Sequence, residues 1–259
     1  MDIKSELYAF IDRAIDGQGE VDDALVEEFG EACKHALRRQ LTEQPETEHR
    51  FRISSIGKPL CQQQYHKMGA PKSRFDVSTK MKFIFGDIIE AIVMVLLKST
   101  PLKVESEQEN VKHDWKDGTS ISGTLDVVVG GKVYDIKSAS DFSYKYKFKK
   151  GFDTVKQDDP FGYVSQGYLY AKSMGLPFGG WIVVNKNTGD IHVTEAPLDN
   201  QTAENEAVAI AKKNMDAINL DLPFQRCFTP QAEVDNKNPS GNLELGVNCR
   251  YCEYKEHCW

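Results

Sequence analysis

The fold is decided by Gly123–Lys137, the stretch GTLDVVVGGKVYDIK, in which two valine-containing runs flank a pair of glycines. Runs of β-branched residues favour β-strands, and Gly130-Gly131 is typical of a two-residue hairpin loop. Such a loop pairs Val129 with Lys132 and thereby fixes the register of both strands. The stretch therefore predicts an antiparallel hairpin within a larger sheet.

This register brings two aspartates together. It places Asp126 directly opposite Asp135, with Cβ atoms about 5 Å apart on one face, and the alternation of side chains puts Lys137 on the face of Asp135. Two adjacent carboxylates repel each other, and a divalent cation between them removes the repulsion. Two acids, a cation and a lysine are the outline of a phosphodiester-cleaving centre. Acidic residues also occur on the wet face of hairpins without any role in chemistry, so the hairpin alone leaves both interpretations open.

Length and composition predict an ordinary soluble globular protein. The chain has 259 residues, 40% hydrophobic and 27% charged, enough for one large α/β domain with helical additions. Its net charge of −7 means that any nucleic-acid site must depend on local positive charge. The charged Met1–Glu6 segment does not resemble a signal peptide, and Ile88–Leu97 is too short to span a bilayer. We therefore expect a cytoplasmic protein without a membrane partner.

The order of predicted elements indicates the architecture. Residues 1–50 have apolar residues at helical spacing and form a predicted N-terminal helical region. Residues 51–259 alternate helices and strands, with a second hairpin after the first. This order predicts an α/β fold, a mixed central sheet flanked by helices.

The C-terminus carries three cysteines in the pattern Cys-x2-Cys-x5-Cys, namely Cys249, Cys252 and Cys258. Zinc sites and iron–sulfur clusters usually need four ligands, so a fourth is missing. Cys61 is the best candidate and would tie the N-terminal half to the tail, while His257 is an alternative zinc ligand. Cys33 and Cys227 are interpreted as ordinary buried thiols. Ligand chemistry alone leaves zinc, a [4Fe–4S] cluster and free thiols open.

Three further polar positions could belong to the same site. Gln166 and Tyr170 lie four apart on a predicted helix and share a face, a spacing that is common by chance. Glu90 interrupts an apolar helix, where a charge is costly to bury unless it is paired or bound to a metal. It could lie on the wet face of the helix, or act as a third carboxylate for Mg²⁺ or Mn²⁺.

A basic and aromatic stretch follows the second acid. Its lysines alternate with aromatic residues and are Lys145, Lys147, Lys149 and Lys150. As a strand, this stretch would carry lysines on one face and aromatic rings on the other. Such a face could follow the phosphates of DNA, although an ordinary amphipathic edge strand has the same pattern.

Together these motifs resemble the PD-(D/E)XK nuclease superfamily, and more closely its RecB-like, AddB-like branch with a four-cysteine iron–sulfur cluster, which includes CRISPR-adaptation Fe–S nucleases. The matching motifs follow the order of the family: Cys61, Gly86–Glu90, Gly123–Asp126, Asp135–Lys137, Gln166-x3-Tyr170, and the three tail cysteines. The resemblance covers residues 51–259. It implies a restriction-endonuclease-like core with an N-terminal helical addition and a C-terminal Fe–S staple that closes the nuclease domain.

The resemblance also implies roles for the matched residues. The expected Mg²⁺ or Mn²⁺ ligands are Glu90, Asp126, Asp135 and the carbonyl group of Ile136. Lys137 would orient or activate the attacking water, and Gln166 and Tyr170 would support the site and the DNA strand. The four cysteines Cys61, Cys249, Cys252 and Cys258 would hold a [4Fe–4S] cluster, with zinc as the alternative. Two positions depart from the family: Glu90 stands where close relatives often have His, and Asp135 where many have Glu.

The implied activity is that of a deoxyribonuclease, an exonuclease on DNA ends or single-stranded DNA rather than an endonuclease. DNA repair, recombination, phage DNA metabolism and CRISPR adaptation are all compatible with it. Any unwinding would come from a helicase or recombination partner, because no helicase motif is found in the sequence. The alternatives are a non-catalytic DNA-binding or assembly module of the same fold, and a nuclease stapled by zinc.

Overall fold

The predicted hairpin is present. In the computed structural model, which describes residues 2–43, 49–198, 201–235 and 238–259, Val129 pairs with Lys132 and Val127 with Tyr134. Gly130-Gly131 have φ values of 56° and 74°, the left-handed values that a type I′ turn needs. Both the loop and the register next to it are confirmed.

The strands of the described residues are β1 Val104–Glu107, β2 Asn110–Asp114, β3 Ser120–Thr124, β4 Val127–Val129, β5 Lys132–Ala139, β6 Phe178–Asn185, β7 Ile191–Glu195, β8 Gln231–Asp235 and β9 Asn238–Glu244. Five of them form the central sheet in the order β1-β4-β5-β6-β7. Strand β5 pairs antiparallel with β4 and parallel with β6, so the sheet is mixed. The remaining strands form two separate ladders, β2-β3 and β8-β9.

The helices of the described residues are α1 Ile3–Ile15, α2 Asp23–Leu41, α3 Ile53–Ile56, α4 Leu60–Lys67, α5 Val77–Lys98, α6 Asp141–Tyr146, α7 Phe152–Gln157, α8 Tyr163–Met174, α9 Gln201–Asn219, α10 Val247–Arg250 and α11 Lys255–Cys258. A short 3₁₀ helix covers Phe148–Lys150. Across the described ranges, no helix combines the length and the apolar character needed to cross a membrane.

Helices cover both faces of the sheet, as predicted. One core contains Leu169 of α8 and Met215 of α9 together with Trp181 of the sheet. The other contains Leu7 of α1 and Leu97 of α5. Burying each large apolar side chain stabilises the fold by about 1.5–3 kcal/mol, so the two apolar layers hold the sheet between them.

Helix α5 is fixed at its start and along its length. The Asp76 carboxylate accepts the N–H of Thr79 at 2.6 Å and caps the helix. A Cβ atom on Gly86 would lie 3.5 Å from the Ser138 hydroxyl, which shows how closely α5 approaches β5. Helix α2 packs along α5, and Arg39 pairs with Asp87 at 2.7 Å. These contacts hold the segment that carries Glu90 against the sheet.

Helix α8 is fixed at its N-terminus. The two carboxylate oxygens of Asp159 accept the N–H groups of Tyr163 and Val164, each at 2.8 Å. A Cβ atom on Gly162 would lie 2.5 Å from the carbonyl carbon of Gly57, so only glycine permits this backbone approach. These contacts fix the position of the start of α8. They thereby also position the helix face that carries Gln166 and Tyr170.

The basic and aromatic stretch is helical, and its prediction as a strand is wrong. Ser140 caps α6 by accepting the N–H of Ser143 at 3.3 Å. Tyr144 and Phe148, four residues apart, are both buried in the core. The same residues satisfy an alternating pattern and a helical one, and tertiary burial of this i, i+4 aromatic pair decides for the helix.

Candidate functional site

Asp126 lies immediately before β4, and not within the ladder opposite Asp135 as predicted. The backbone leaves the hairpin here, because the N–H of Leu125 bonds to the carbonyl of Glu109 at 3.0 Å. The Asp126 side chain nevertheless reaches β5, where its Oδ2 atom accepts the N–H of Ile136 at 2.7 Å. The two aspartates therefore belong to one site, although Asp126 lies one residue outside the hydrogen-bonded ladder of the hairpin.

Asp135 and Lys137 form an ion pair on one face of β5. Asp135 is only 1% exposed, and Lys137 Nζ lies 2.6 Å from its Oδ2 atom, so the predicted common face is confirmed. Among the described residues, neither oxygen of Asp135 accepts a hydrogen bond of standard geometry. Desolvation would lower the pKa of Lys137, but the charges of Asp135 and Asp126 outweigh it and raise the pKa above its ordinary value. Lys137 is therefore held as an ammonium group.

Glu90 completes a cluster of three carboxylates, Glu90, Asp126 and Asp135, which we call the acidic cluster. Burial raises the pKa of Glu90, and the charge of Asp135 adds to it against the opposing effect of Lys137. Burial raises the pKa of Asp126 well above its usual range, and the charges of Asp135 and Glu90 raise it further. The three groups are thus close enough to repel one another, with Lys137 as a nearby compensating charge. A divalent cation fits this surplus of negative charge.

Gln108 links two members of the acidic cluster, and sequence reasoning missed it. Its Nε2 atom donates to Glu90 Oε1 at 2.7 Å, and its backbone N–H donates to the Asp126 carbonyl at 3.0 Å. Its φ of 47° is uncommon for a residue other than glycine and costs about 1–3 kcal/mol. No periodic pattern marks Gln108 in the sequence, because it lies in the turn between β1 and β2.

Gln166 and Tyr170 share a face of α8 beside the acidic cluster, as predicted from their spacing. Tyr170 is 2% exposed and is hydrogen-bonded to Gln166; burial raises its pKa, and so do the charges of Asp126 and Asp135. A Cβ atom on Gly123 would lie 3.0 Å from the Tyr170 hydroxyl oxygen. Gly123 therefore leaves room for the tyrosine ring against β3.

The four lysines predicted to follow DNA lie in a helical segment and not on a strand. Their contacts are local: Lys145 pairs with Asp141 at 2.9 Å, Lys147 with Asp158 at 3.7 Å, Lys149 lies 5.4 Å from the ring centroid of Tyr144, and Lys150 is exposed. Lys147 Nζ also lies 6.0 Å from the Tyr163 ring, and Lys137 Nζ lies 5.0 Å from the same ring. Lys147 is thus the one of the four that is linked to the site through a shared aromatic ring.

Five cysteines line one small cavity of about 20 Å³, which we call the cysteine cavity: Cys61, Cys227, Cys249, Cys252 and Cys258. The predicted approach of Cys61 to the tail is present. Cys227 was interpreted as an ordinary buried thiol, and this is wrong. It is exposed, and its sulfur accepts the N–H of Cys61 at 3.0 Å. The turn-rich segment before the tail gave no sequence pattern from which this approach could be predicted.

Comparison with known proteins gives a likeness of structure and no family assignment. No family model matches the chain, and no curated protein matches it. It resembles the crystal structure of SSO0001 with a TM-score of 0.48 at 15% identity, over 90% of this chain and 96% of that one. This likeness carries no argument about activity.

The acidic cluster and the cysteine cavity offer different donor atoms, and these suit different metals. Among the described residues, no three His, Cys, Asp or Glu side chains are already drawn together as a metal-holding group. The acidic cluster offers oxygen donors, the ligands that Mg²⁺ and Mn²⁺ prefer. The cysteine cavity offers sulfur donors, which suit zinc or an iron–sulfur cluster. His257, the alternative zinc ligand, is exposed and contacts the ring of Tyr65 at 5.0 Å.

The hydrogen bond between the Cys61 and Cys227 thiols shifts the pKa values of both groups. The Cys61 thiol donates to the Cys227 sulfur, which raises the pKa of Cys61 and lowers the pKa of Cys227 to about 6. A lowered thiol pKa favours the thiolate, which is the form that binds metals.

Proposed function

We propose that this protein is a metal-dependent DNA nuclease of the PD-(D/E)XK type, acting as an exonuclease on DNA ends or single strands. The observation that carries the proposal is the buried Asp135–Lys137 pair beside two further carboxylates. Holding the buried Asp135 beside two half-buried acids that repel it lowers the stability of a fold, and active sites are where such costs are retained. A non-catalytic module would have no need for this arrangement.

In this proposal Glu90, Asp126 and Asp135 hold Mg²⁺ or Mn²⁺, with the carbonyl of Ile136 as a further ligand. The bound cation would polarise the phosphodiester and neutralise charge in the transition state. Gln108 keeps Glu90 oriented toward Asp126. The Ile136 N–H holds one oxygen of Asp126, which leaves the other free for a ligand or a water molecule.

Lys137 contributes positive charge beside the acidic cluster. In the metal-free site the charges of Asp135 and Asp126 raise its pKa and keep the proton on the ammonium group at neutral pH. It can orient the attacking water through a hydrogen bond and stabilise the charge that develops on the phosphate oxygens. The cation–π contact with Tyr163 at 5.0 Å limits the positions that the lysine can adopt.

Four cysteines of the cysteine cavity would hold a structural [4Fe–4S] cluster, or zinc as the alternative. The centre would connect the start of α4 with the C-terminal tail. Its role is structural, because metal binding to such sites contributes directly to folding free energy.

Cleavage of end-labelled single- and double-stranded DNA by anaerobically purified protein tests the proposal, with Mn²⁺ and with EDTA. We expect EDTA-sensitive cleavage by the wild type and none by Asp126→Asn, which keeps an acceptor for the Ile136 N–H but removes the charge. Lys34→Ala, which changes an exposed lysine paired with Glu31, is the matched control and should retain activity. Metal-independent DNA binding without cleavage would favour a binding module instead.

A further inference from the structure

The cysteine cavity has one more thiol than a metal centre needs. A tetrahedral zinc site and a [4Fe–4S] cluster each take four cysteine ligands, whereas five cysteines line this cavity. Three of the five belong to the Cys-x2-Cys-x5-Cys pattern of the tail. The other two, Cys61 and Cys227, are 166 residues apart in sequence and contact each other.

This contact places both sulfurs on the same side of the cavity. The Cys61 backbone N–H donates to the Cys227 sulfur at 3.0 Å, and the two thiols are hydrogen-bonded as well. Backbone N–H groups at the start of a helix stabilise a cysteine sulfur as a ligand. Cys227 therefore has the environment of a ligand and not that of an inert core thiol.

The segment that carries Cys227 is attached to the tail. The guanidinium group of Arg226 donates to the carbonyl of Cys258 and lies 4.1 Å from the ring centroid of Trp259. These two contacts fix the neighbouring residue at the cavity. Cys33, in contrast, lies on α2 and does not line this cavity.

We propose that Cys61 and Cys227 are interchangeable fourth ligands of one metal centre, whose other three ligands are the tail cysteines. The inference rests on the metal centre that the proposed function includes. The exchange replaces one thiolate with another: the incoming thiol loses a proton and the outgoing sulfur gains one, so no oxidant or reductant is required. Either cysteine can then be lost without loss of the centre.

The test is the metal content of single and double variants, purified anaerobically as full-length chains. Iron, acid-labile sulfide, zinc and the visible absorption spectrum are measured for wild type, Cys61→Ser, Cys227→Ser and the double variant. Cys33→Ser is the matched control for a cysteine outside the cavity, and Cys252→Ser removes a ligand that has no substitute. Circular dichroism reports folding, and Cys61→Ala repeats the decisive variant with a different side chain.

We expect each single variant at Cys61 or Cys227 to keep close to the wild-type metal content, about four irons per chain for a [4Fe–4S] cluster. The double variant and Cys252→Ser should lose nearly all of it. Loss of the metal from both folded Cys61 variants, or its retention in the double variant, would overturn the exchange. A wild-type protein without iron or zinc would instead overturn the metal centre itself.

Discussion

Removing the ammonium group of Lys137 should destabilise the metal-free protein. Asp135 is 1% exposed, and Lys137, at 2.6 Å from its Oδ2 atom, is its ion-pair partner. Deleting one partner of a buried ion pair costs about 3–5 kcal/mol.

The partial exposure of the lysine sets where in this range the cost lies. The Lys137 side chain is 19% exposed, so water reaches the pair and reduces the penalty toward the lower end of the range. We therefore expect Lys137→Ala to lose about 3 kcal/mol of unfolding free energy in EDTA. For a chain of this length that corresponds to a fall in Tm of about 6–12 °C.

Thermal unfolding in EDTA and in Mn²⁺, followed by circular dichroism, measures this effect. Mn²⁺ should restore part of the lost stability, because the cation supplies the missing positive charge. Lys145→Ala is the matched control: its exposed i, i+4 pair with Asp141 contributes about 0.3–0.5 kcal/mol. The double variant Asp135→Asn/Lys137→Met removes both charges and should be more stable than Lys137→Ala. Unfolding of Lys137→Ala in EDTA at the same temperature as Lys145→Ala would contradict the stabilising role of the Lys137–Asp135 ion pair.

Three other substitutions test neighbouring parts of the site. Asp126→Asn should raise Tm in EDTA, because it removes one of three repelling charges. It should also lose the increase in Tm that Mn²⁺ gives the wild type. An unchanged increase in Tm with Mn²⁺ would contradict the role of Asp126 as a ligand. Gln108→Ala should weaken Mn²⁺ affinity several-fold in a calorimetric titration, since Glu90 loses its 2.7 Å hydrogen bond. Unchanged affinity would show that Gln108 does not orient Glu90 for the cation. Gly123→Ala should lower the free energy of unfolding by about 1–3 kcal/mol, because the added methyl group meets Tyr170 at 3.0 Å. A chemical denaturation curve that superimposes on that of the wild type would contradict this close packing.

The features that the sequence predicts well are those set by local interactions. The hairpin follows from β-branched residues on either side of Gly130-Gly131, because turn chemistry and strand propensity act over a few residues. The common face of Asp135 and Lys137 follows from the period of a strand. The face shared by Gln166 and Tyr170 follows in the same way from the period of a helix.

The features that sequence reasoning missed depend on contacts between distant segments. Asp126 leaves the ladder because the residue before it bonds to Glu109, a contact that no local pattern indicates. Gln108 and Cys227 lie in irregular segments, and only the folded chain brings them to the acidic cluster and to the cysteine cavity. The stretch around Lys145 has both an alternating and a helical pattern, and tertiary packing decides between them.

The most direct test of the central claim is the binding of Mn²⁺ to the acidic cluster, followed by the loss of the free-ion electron paramagnetic resonance signal. The measurement needs no knowledge of the substrate. We predict that the wild type removes stoichiometric Mn²⁺ from solution and that Asp126→Asn and Asp135→Asn leave it free. Equal binding by the wild type and both variants, or no binding by any of them, would contradict the claim that these aspartates form a divalent-cation site.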